Sequence, residues 1–573
     1  MMTKILFAAI LLLFFSIVSN GQHELLAVNQ KINGFKYGIT KTIICKNGVV
    51  VSAHTLASKA GVMMLKAGGN AIDAAIATQL ALAVVYPGAG NIGGGGFLIA
   101  HLAGGKNISI DYRETAPHAS SRDMYLDANG VPQTKMSLDG HLSVGVPGTI
   151  AGLYASLKYA RLAFRKLIQP AIDLAENGFV ISEGQAKSFN DNREQFVALN
   201  TTSPVFVTGG SWKAGDTLIQ KDLAKTLRRI RDGGAREFYE GTTAKLIVEE
   251  MNRGKGIITL EDLKNYKAKK REPISFAYKG FTVLTMGLPS SGGIILEQMM
   301  KMTEGRSIAK MNFETAESVH LMTEIERRAY ADRAKFLGDP DFVKVPEKIL
   351  VSKKYLDERM KDFDPAKAGN STSISAGNLK ESEQTTHLDV YDREGNAVSV
   401  TTTLNNSYGS KTVVSGAGFL LNDEMDDFSA KPGVPNLYGA IGAEANAIVP
   451  GKRMLSSMTP TIVLKNNKPF LVIGTPGGTT ITTSVYQTLL DILEFNLNAT
   501  DAVNRPKFHH QWLPDRIDVE KEFPQDVRNQ LTQMGYTITE RAPIGRTELI
   551  LIHATGKLEA VADKRGDDSA EGY

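Results

Sequence analysis

A single cysteine, Cys45, stands in a chain of 573 residues. No intrachain disulfide can form, and no thiolate metal cluster. In Thr42-Ile43-Ile44-Cys45 the lone thiol keeps apolar company that suits packing better than nucleophilic chemistry. An excess of one charge sign is also missing. The 65 Lys and Arg nearly balance 61 Asp and Glu, giving a net charge of +4 and no electrostatic footprint for nucleic acid. His-rich or carboxylate-rich metal spacings, internal repeats and low-complexity linkers are absent, so neither a cofactor nor a metal is expected. The one long apolar run lies at the start, where Lys4 precedes Ile5 to Val18 and small residues follow at Ser19-Asn20-Gly21. It is too short to span a bilayer comfortably. It has the layout of a secretory signal peptide over residues 1–21, against the alternative of an uncleaved anchor. A periplasmic or secreted protein with no stable membrane anchor is therefore expected. What remains is a large globular composition, 42% hydrophobic and 22% charged, whose length alone suggests roughly three or four domains.

Two helices are expected between His54 and Val85. The first stops at Gly68-Gly69. Asn70 caps the second, with Asp73 near its first-turn amides. Ala71 to Val85 is apolar nearly all round and should be buried. Gly93 to Gly96 form a run of four glycines, but no lysine follows in phosphate-loop spacing, so a nucleotide site is rejected in favour of a tight turn. Ser109 to Glu114 reads as a strand ending in a charged pair. There Arg113 is either a surface residue or a fork for a substrate carboxylate, and spacing does not separate the two. Residues 140–380 read as mainly helical. From Lys361 to Ser382 the chain turns polar and should be exposed.

That polar stretch ends at Gln384-Thr385-Thr386-His387-Leu388-Asp389. Alternating β-branched residues flank Arg393-Glu394-Gly395, the pattern of a hairpin with a three-residue loop and Gly395 in the left-handed position. In that register Thr385 faces Thr403. An internal threonine hydroxyl is a poor nucleophile because no base is built into it. If the Gln384–Thr385 bond is cut, Thr385 gains an α-amine of pKa about 8 that can serve as its own general base. The ordinary reading, strand packing and cross-strand pairing, accounts for the threonines equally well.

Downstream, four further features crowd together. Acids run through Leu421-Asn422-Asp423-Glu424-Met425-Asp426-Asp427. Residues 429–442 make a glycine- and proline-bearing loop long enough to be a lid. Ser456 and Ser457 precede a strand. Gly474-Thr475-Pro476-Gly477-Gly478 precedes a helix, and its amides suit an oxyanion hole. Each has an ordinary explanation alone; all four after a cleavable threonine are hard to explain that way.

The chain resembles bacterial γ-glutamyltranspeptidases from about Gly48 to Gly572-Tyr573. The resemblance rests on Gln384-Thr385-Thr386-His387, Met425-Asp426-Asp427-Phe428-Ser429, Leu455-Ser456-Ser457-Met458, Pro476-Gly477-Gly478 and Phe508-His509-His510-Gln511-Trp512. It implies an α+β chain with the N-terminal nucleophile hydrolase fold, an αββα sandwich. A precursor would cut itself into a large subunit, 22–384, and a small subunit, 385–573, held as a heterodimer. By position, Thr385 would be processing residue and nucleophile, with Thr403 as its hydrogen-bonded partner. Gly477 and Gly478 would supply the oxyanion hole. Arg113, Ser456 and Ser457 would bind the α-carboxylate of a γ-glutamyl group, and Asn405, Glu424 and Asp427 its α-ammonium. Tyr438 would belong to the lid. The implied activity is γ-glutamyl transfer and hydrolysis of glutathione or similar compounds, with water, amino acids or dipeptides as acceptors. Three departures stand out: Glu424, where several bacterial relatives have Gln, Thr479-Thr480 in place of a Ser-Arg pair, and Tyr159 to Phe164, which lacks a glycine and a proline commonly seen there. A cephalosporin (glutaryl) acylase of the same fold and a non-processing binding protein are the alternatives.

Overall fold

The computed structural model describes residues 31–374, 385–429 and 444–573. The expected signal peptide, Gln384 and the lid with Tyr438 lie outside them. Two seven-stranded sheets, antiparallel throughout, stack face to face. The first runs in the order Ser569–Gly572, Gly48–Ser52, Thr385–Asp392, Ala397–Thr403, Gly95–His101, Asn107–Asp111 and Lys269–Arg271. The second runs Thr42–Cys45, Leu558–Ala562, Glu548–Ile552, Lys468–Gly474, Thr461–Lys465, Phe281–Thr285 and Ile274–Tyr278.

Period-2 alternation sorts side chains between the layers. Val49 and Val51 turn inward and pack with Phe97, Ile99, Ile462, Val472 and Ile550 between the sheets. Val50, Leu388, Val390, Val398 and Val400 turn outward, onto the helices Thr55–Lys66 and Ala71–Val85. On the far side Val463, Leu471 and Ile473 pack against Gly292–Glu304, Ala316–Phe336 and Thr480–Leu493. The result is helix, sheet, sheet, helix: the αββα sandwich. The Ala71–Val85 helix has no polar face because it is buried on every side. Asn70 and Asp73 close a reciprocal capping box at its start.

Residues 140–380 are less uniformly helical than the sequence suggests. They contribute three strands to the two large sheets, Lys269–Arg271, Phe281–Thr285 and, paired with the latter, Ile274–Tyr278, besides the two-stranded ribbon Phe179–Val180 with Thr217–Leu218. Ile274–Tyr278 and Phe281–Thr285 form an edge hairpin whose Phe276, Val283 and Leu284 gain burial only by joining the second sheet. Each sheet draws strands from both sides of residue 385, so the two stretches of chain fold as one unit. Among the described residues, no helix is long and apolar enough to cross a membrane.

Candidate active site

The hairpin has the expected register. Thr385 pairs with Thr403 and Tyr391 with Ala397, and Gly395 turns the corner at φ 94°. Thr385, His387 and Asp389 therefore share the face toward the second sheet. His387 fixes that face: its ring nitrogens meet Thr401 Oγ1 and Asp389 Oδ1, both at 2.9 Å. Across the gap, Ser399 Oγ donates to the carbonyl of Ile473 at 3.2 Å, which ties the sheets together beside the hairpin. Thr385 is the first residue of its strand and only 6% exposed.

Thr385 Oγ1 lies 3.5 Å from Thr403 Oγ1, and Thr403 Oγ1 accepts the backbone N–H of Asn405 at 2.8 Å. Asn405 takes a left-handed backbone, φ 78°, and its side-chain amide donates to the carbonyl of Asp423. That links the hairpin's end to the acidic loop. The glycine run lies directly beneath. Gly95 pairs with Thr403 at the start of a strand, and a Cβ on Gly94 would stand 2.1 Å from the Thr403 carbonyl. The run is thus a turn only at Gly93-Gly94; Gly95 and Gly96 belong to the sheet.

Arg113 is buried, which removes the surface reading. Its guanidinium contacts both Glu424 and Asp427, with Glu114 at 3.6 Å. Its Nε and Nη2 reach toward the carbonyls of Met454 and Leu455, each at 3.4 Å, next to Ser456. Here the structure corrects the expected layout. A cationic end and an acidic end were expected to stand apart, yet Arg113 bridges directly to the acids. Buried charges are costly unless paired, and here one guanidinium faces three carboxyls, leaving both oxygens of Glu114 and of Glu424 without a hydrogen-bond partner. Burial pushes the Glu424 carboxyl well above the ordinary range and Asp427 upward, against the pull of Arg113; Glu114 rises to about 8. Ser457 Oγ is buried with no hydrogen-bond partner, whereas Ser456 Oγ accepts from Met458 N.

Gly477 lines the same cleft as Thr385. It sits at φ 135°, where a Cβ would stand 2.4 Å from Thr480 Oγ1, so only glycine fits. Gly478 follows at φ 58°, opening the turn into the Thr480–Leu493 helix. This loop is braced by residues to which the sequence assigned no role. Tyr330 Oη donates to the Thr479 carbonyl, and Thr479 Oγ1 donates to Gln511 Oε1 at 2.7 Å. His509 bonds both Gln511 and Thr483. The Phe508–Trp512 motif is visible in the sequence, but only the packed structure shows that it holds the glycine loop.

The family model described as Gamma-glutamyltranspeptidase matches residues 57–573. The chain belongs to the γ-glutamyltranspeptidase family. Within that family it is 44% identical over 547 residues to the glutathione hydrolase proenzyme of Escherichia coli K12, covering 94% of each chain. The γ-glutamyltranspeptidase structure from Helicobacter pylori is 42% identical with a TM-score of 0.56, over 60% of this chain and 97% of that one. The cephalosporin acylase structure from Bacillus halodurans shares the fold more completely, with a TM-score of 0.81 over 95% of this chain and 100% of that one, at 27% identity. Family members and the cephalosporin acylase thus share one fold.

Proposed function

We propose that this family member is a γ-glutamyltransferase and glutathione hydrolase that matures by cutting its own Gln384–Thr385 bond. The observation that carries the reading is the Thr385–Thr403 hydroxyl pair at the head of a buried strand, sharing a cleft with Gly477. Cleavage frees the Thr385 α-amine, which takes the proton from Oγ1. Oγ1 then attacks the γ-carbonyl carbon, and the oxyanion is met by the Gly477 and Gly478 amides. The amide C–N bond breaks as the leaving nitrogen takes the proton, and a γ-glutamyl ester remains on Thr385. Water releases glutamate; an amino acid or dipeptide amine instead forms a new γ-glutamyl amide. In both cases the ester C–O bond breaks and Oγ1 regains its proton.

Arg113, with Ser456 and Ser457, would hold the α-carboxylate, and Asn405, Glu424 and Asp427 the α-ammonium. A zwitterion suits this cluster because each of its charges replaces a partner that Arg113 and the acids now find in each other. The partnerless Ser457 hydroxyl is a donor in reserve. Tyr438 and its loop would close over the bound group. The large (22–384) and small (385–573) subunits would stay together as a heterodimer through their shared sheets. After loss of the signal peptide, the enzyme would work in the periplasm or outside the cell. The glutaryl acylase reading is weaker, since two buried carboxylates beside Arg113 serve an acyl group that carries an amine.

Purified protein should run as two bands on a denaturing gel, with Thr385 at the N-terminus of the smaller one, and Thr385→Ala should stay uncut. A new terminus elsewhere, or normal cutting of Thr385→Ala, defeats the assignment. A single band from the wild-type protein points to the binding-protein alternative.

A further inference from the structure

Glu548 stands at the seam between the two sheets and is fully buried. Its backbone pairs with Gly474, the last residue of the strand that runs into the glycine loop. Residues directly opposite in an antiparallel pair point to the same face. At Gly474 that face meets the His387 ring, since a Cβ there would stand 2.1 Å from His387 Cε1. The Glu548 side chain therefore enters the gap between the sheets, beside the His387–Asp389 pair of the nucleophile strand.

An ionised carboxyl would be stranded in this position. Neither Glu548 oxygen has a donor among the described residues. The neighbouring cations are already engaged. Arg546 gives Nε and Nη2 to Asp568, at 3.1 and 2.6 Å, and Nη1 to Tyr86 Oη. Arg565 gives its guanidinium to Glu520 and Asp563. Lys41 Nζ donates to the carbonyls of Asp563, Gly566 and Asp568. Asp389 is bonded to His387 through one oxygen, and its other oxygen has no partner. A carboxylate at Glu548 would thus meet acids rather than donors, and a buried charge without a partner is strongly destabilising. A protonated carboxyl escapes that cost and has an O–H to give, with Asp568 within hydrogen-bonding reach to accept it. Burial, Asp568 and Asp389 hold the Glu548 carboxyl well above the ordinary range despite the pull of Arg546.

From Asp568 the contacts lead to the oxyanion site. Asp568 grips the Arg546 guanidinium with both oxygens. The Arg546 N–H donates to Thr475 Oγ1 at 2.8 Å, and Thr475 Oγ1 donates to the Pro476 carbonyl at 2.8 Å. Gly477 comes next in the chain. The loop is therefore held at Thr475 from this side, as it is held at Thr479 by Tyr330 and Gln511 from the other.

We propose that Glu548 is a neutral carboxylic acid in the folded enzyme, and that the O–H it donates to Asp568 positions the oxyanion loop through Arg546 and Thr475. The inference rests on the γ-glutamyl transfer reading and adds a positioning residue that acts through others.

The test uses processed enzyme and saturating γ-glutamyl-p-nitroanilide. Glu548→Gln keeps an uncharged donor of nearly the same shape, so kcat and KM should stay within roughly twofold of the wild type. Glu548→Leu removes the donor, and kcat should fall by on the order of tenfold with KM little changed. Thr475→Val cuts the same path at its other end and should lower kcat by a similar factor. The double variant should lose about as much as the worse single one, because both break one path. A Glu548→Gln enzyme as impaired as Glu548→Leu would mean that the carboxyl works as an anion, and would overturn the proposal. Losses that multiply in the double variant would overturn the path. So would wild-type kcat in Glu548→Leu or in Thr475→Val, and the second of these decides the matter if Glu548→Leu does not fold. All of these outcomes leave γ-glutamyl transfer standing; a wild type that does not turn over the donor would overturn that reading and the proposal with it.

Discussion

Thr385 and Thr403 face each other across the first rung of an antiparallel pair, their hydroxyl oxygens 3.5 Å apart. Thr403 Oγ1 accepts from both the Thr385 hydroxyl and the Asn405 N–H, so the partner oxygen of the Thr385 hydroxyl is held in place from behind. Thr403→Val keeps the shape and removes the hydroxyl. A neutral hydrogen bond is worth roughly 1 kcal/mol, so turnover of γ-glutamyl-p-nitroanilide by processed variant should fall by roughly three- to tenfold. Wild-type kcat in a fully processed Thr403→Val enzyme would sink the partnership.

Asp427 should discriminate among acyl groups. A glutaryl substrate brings a carboxylate that draws Arg113 away from Asp427 but no amine to take its place, and a desolvated charge left unpaired costs roughly 3–5 kcal/mol. Even half of that is on the order of tenfold or more in rate. The wild type should therefore turn over γ-glutamyl-p-nitroanilide well and glutaryl-p-nitroanilide poorly. Asp427→Asn should narrow the gap, mainly by damaging the γ-glutamyl reaction. Equal kcat/KM on both substrates in the wild type would favour the acylase reading.

Tyr330 is expected to act on the oxyanion site through Thr479. Tyr330→Phe leaves the buried Thr479 carbonyl without its donor, a loss of about 1–3 kcal/mol. If the brace sets the glycine loop, kcat should fall while KM changes little. A drop in Tm with kcat intact would show that Tyr330 contributes packing alone.

Asp426 supplies a pH test. Burial raises its carboxyl from the ordinary range to about 8, with Ser137 Oγ donating to it at 2.5 Å. A folded-state pKa above the unfolded one gives stability that is full below about pH 4 and lost as pH rises through about 8. Asp426→Asn stays neutral at every pH. The fall in Tm between pH 5 and pH 8.5 should thus be smaller in the variant than in the wild type. Parallel profiles would mean that Asp426 is ionised in the folded protein throughout.

The sequence alone determined whatever depends on neighbours along the chain. Alternation on both sides of Arg393-Glu394-Gly395 decided the register that sets Thr385 opposite Thr403, because a hairpin loop of fixed length leaves no freedom to slip. Asn70 and Asp73 announced a helix start, since a capping box needs only residues three apart. The motifs after Thr385 named most of the candidate site through family likeness. Tertiary structure decided what depends on distant segments meeting. Arg113 lies hundreds of positions from Glu424 and Asp427, and nothing in that spacing says that it pairs with them directly; burial together forces it. The edge hairpin Ile274–Tyr278 and Phe281–Thr285 is stable only because a second sheet exists for it to join. Tyr330 left no local signal, and Gln511 showed only as part of a family motif, because their roles come from what they touch across the fold: the carbonyl and the hydroxyl of Thr479.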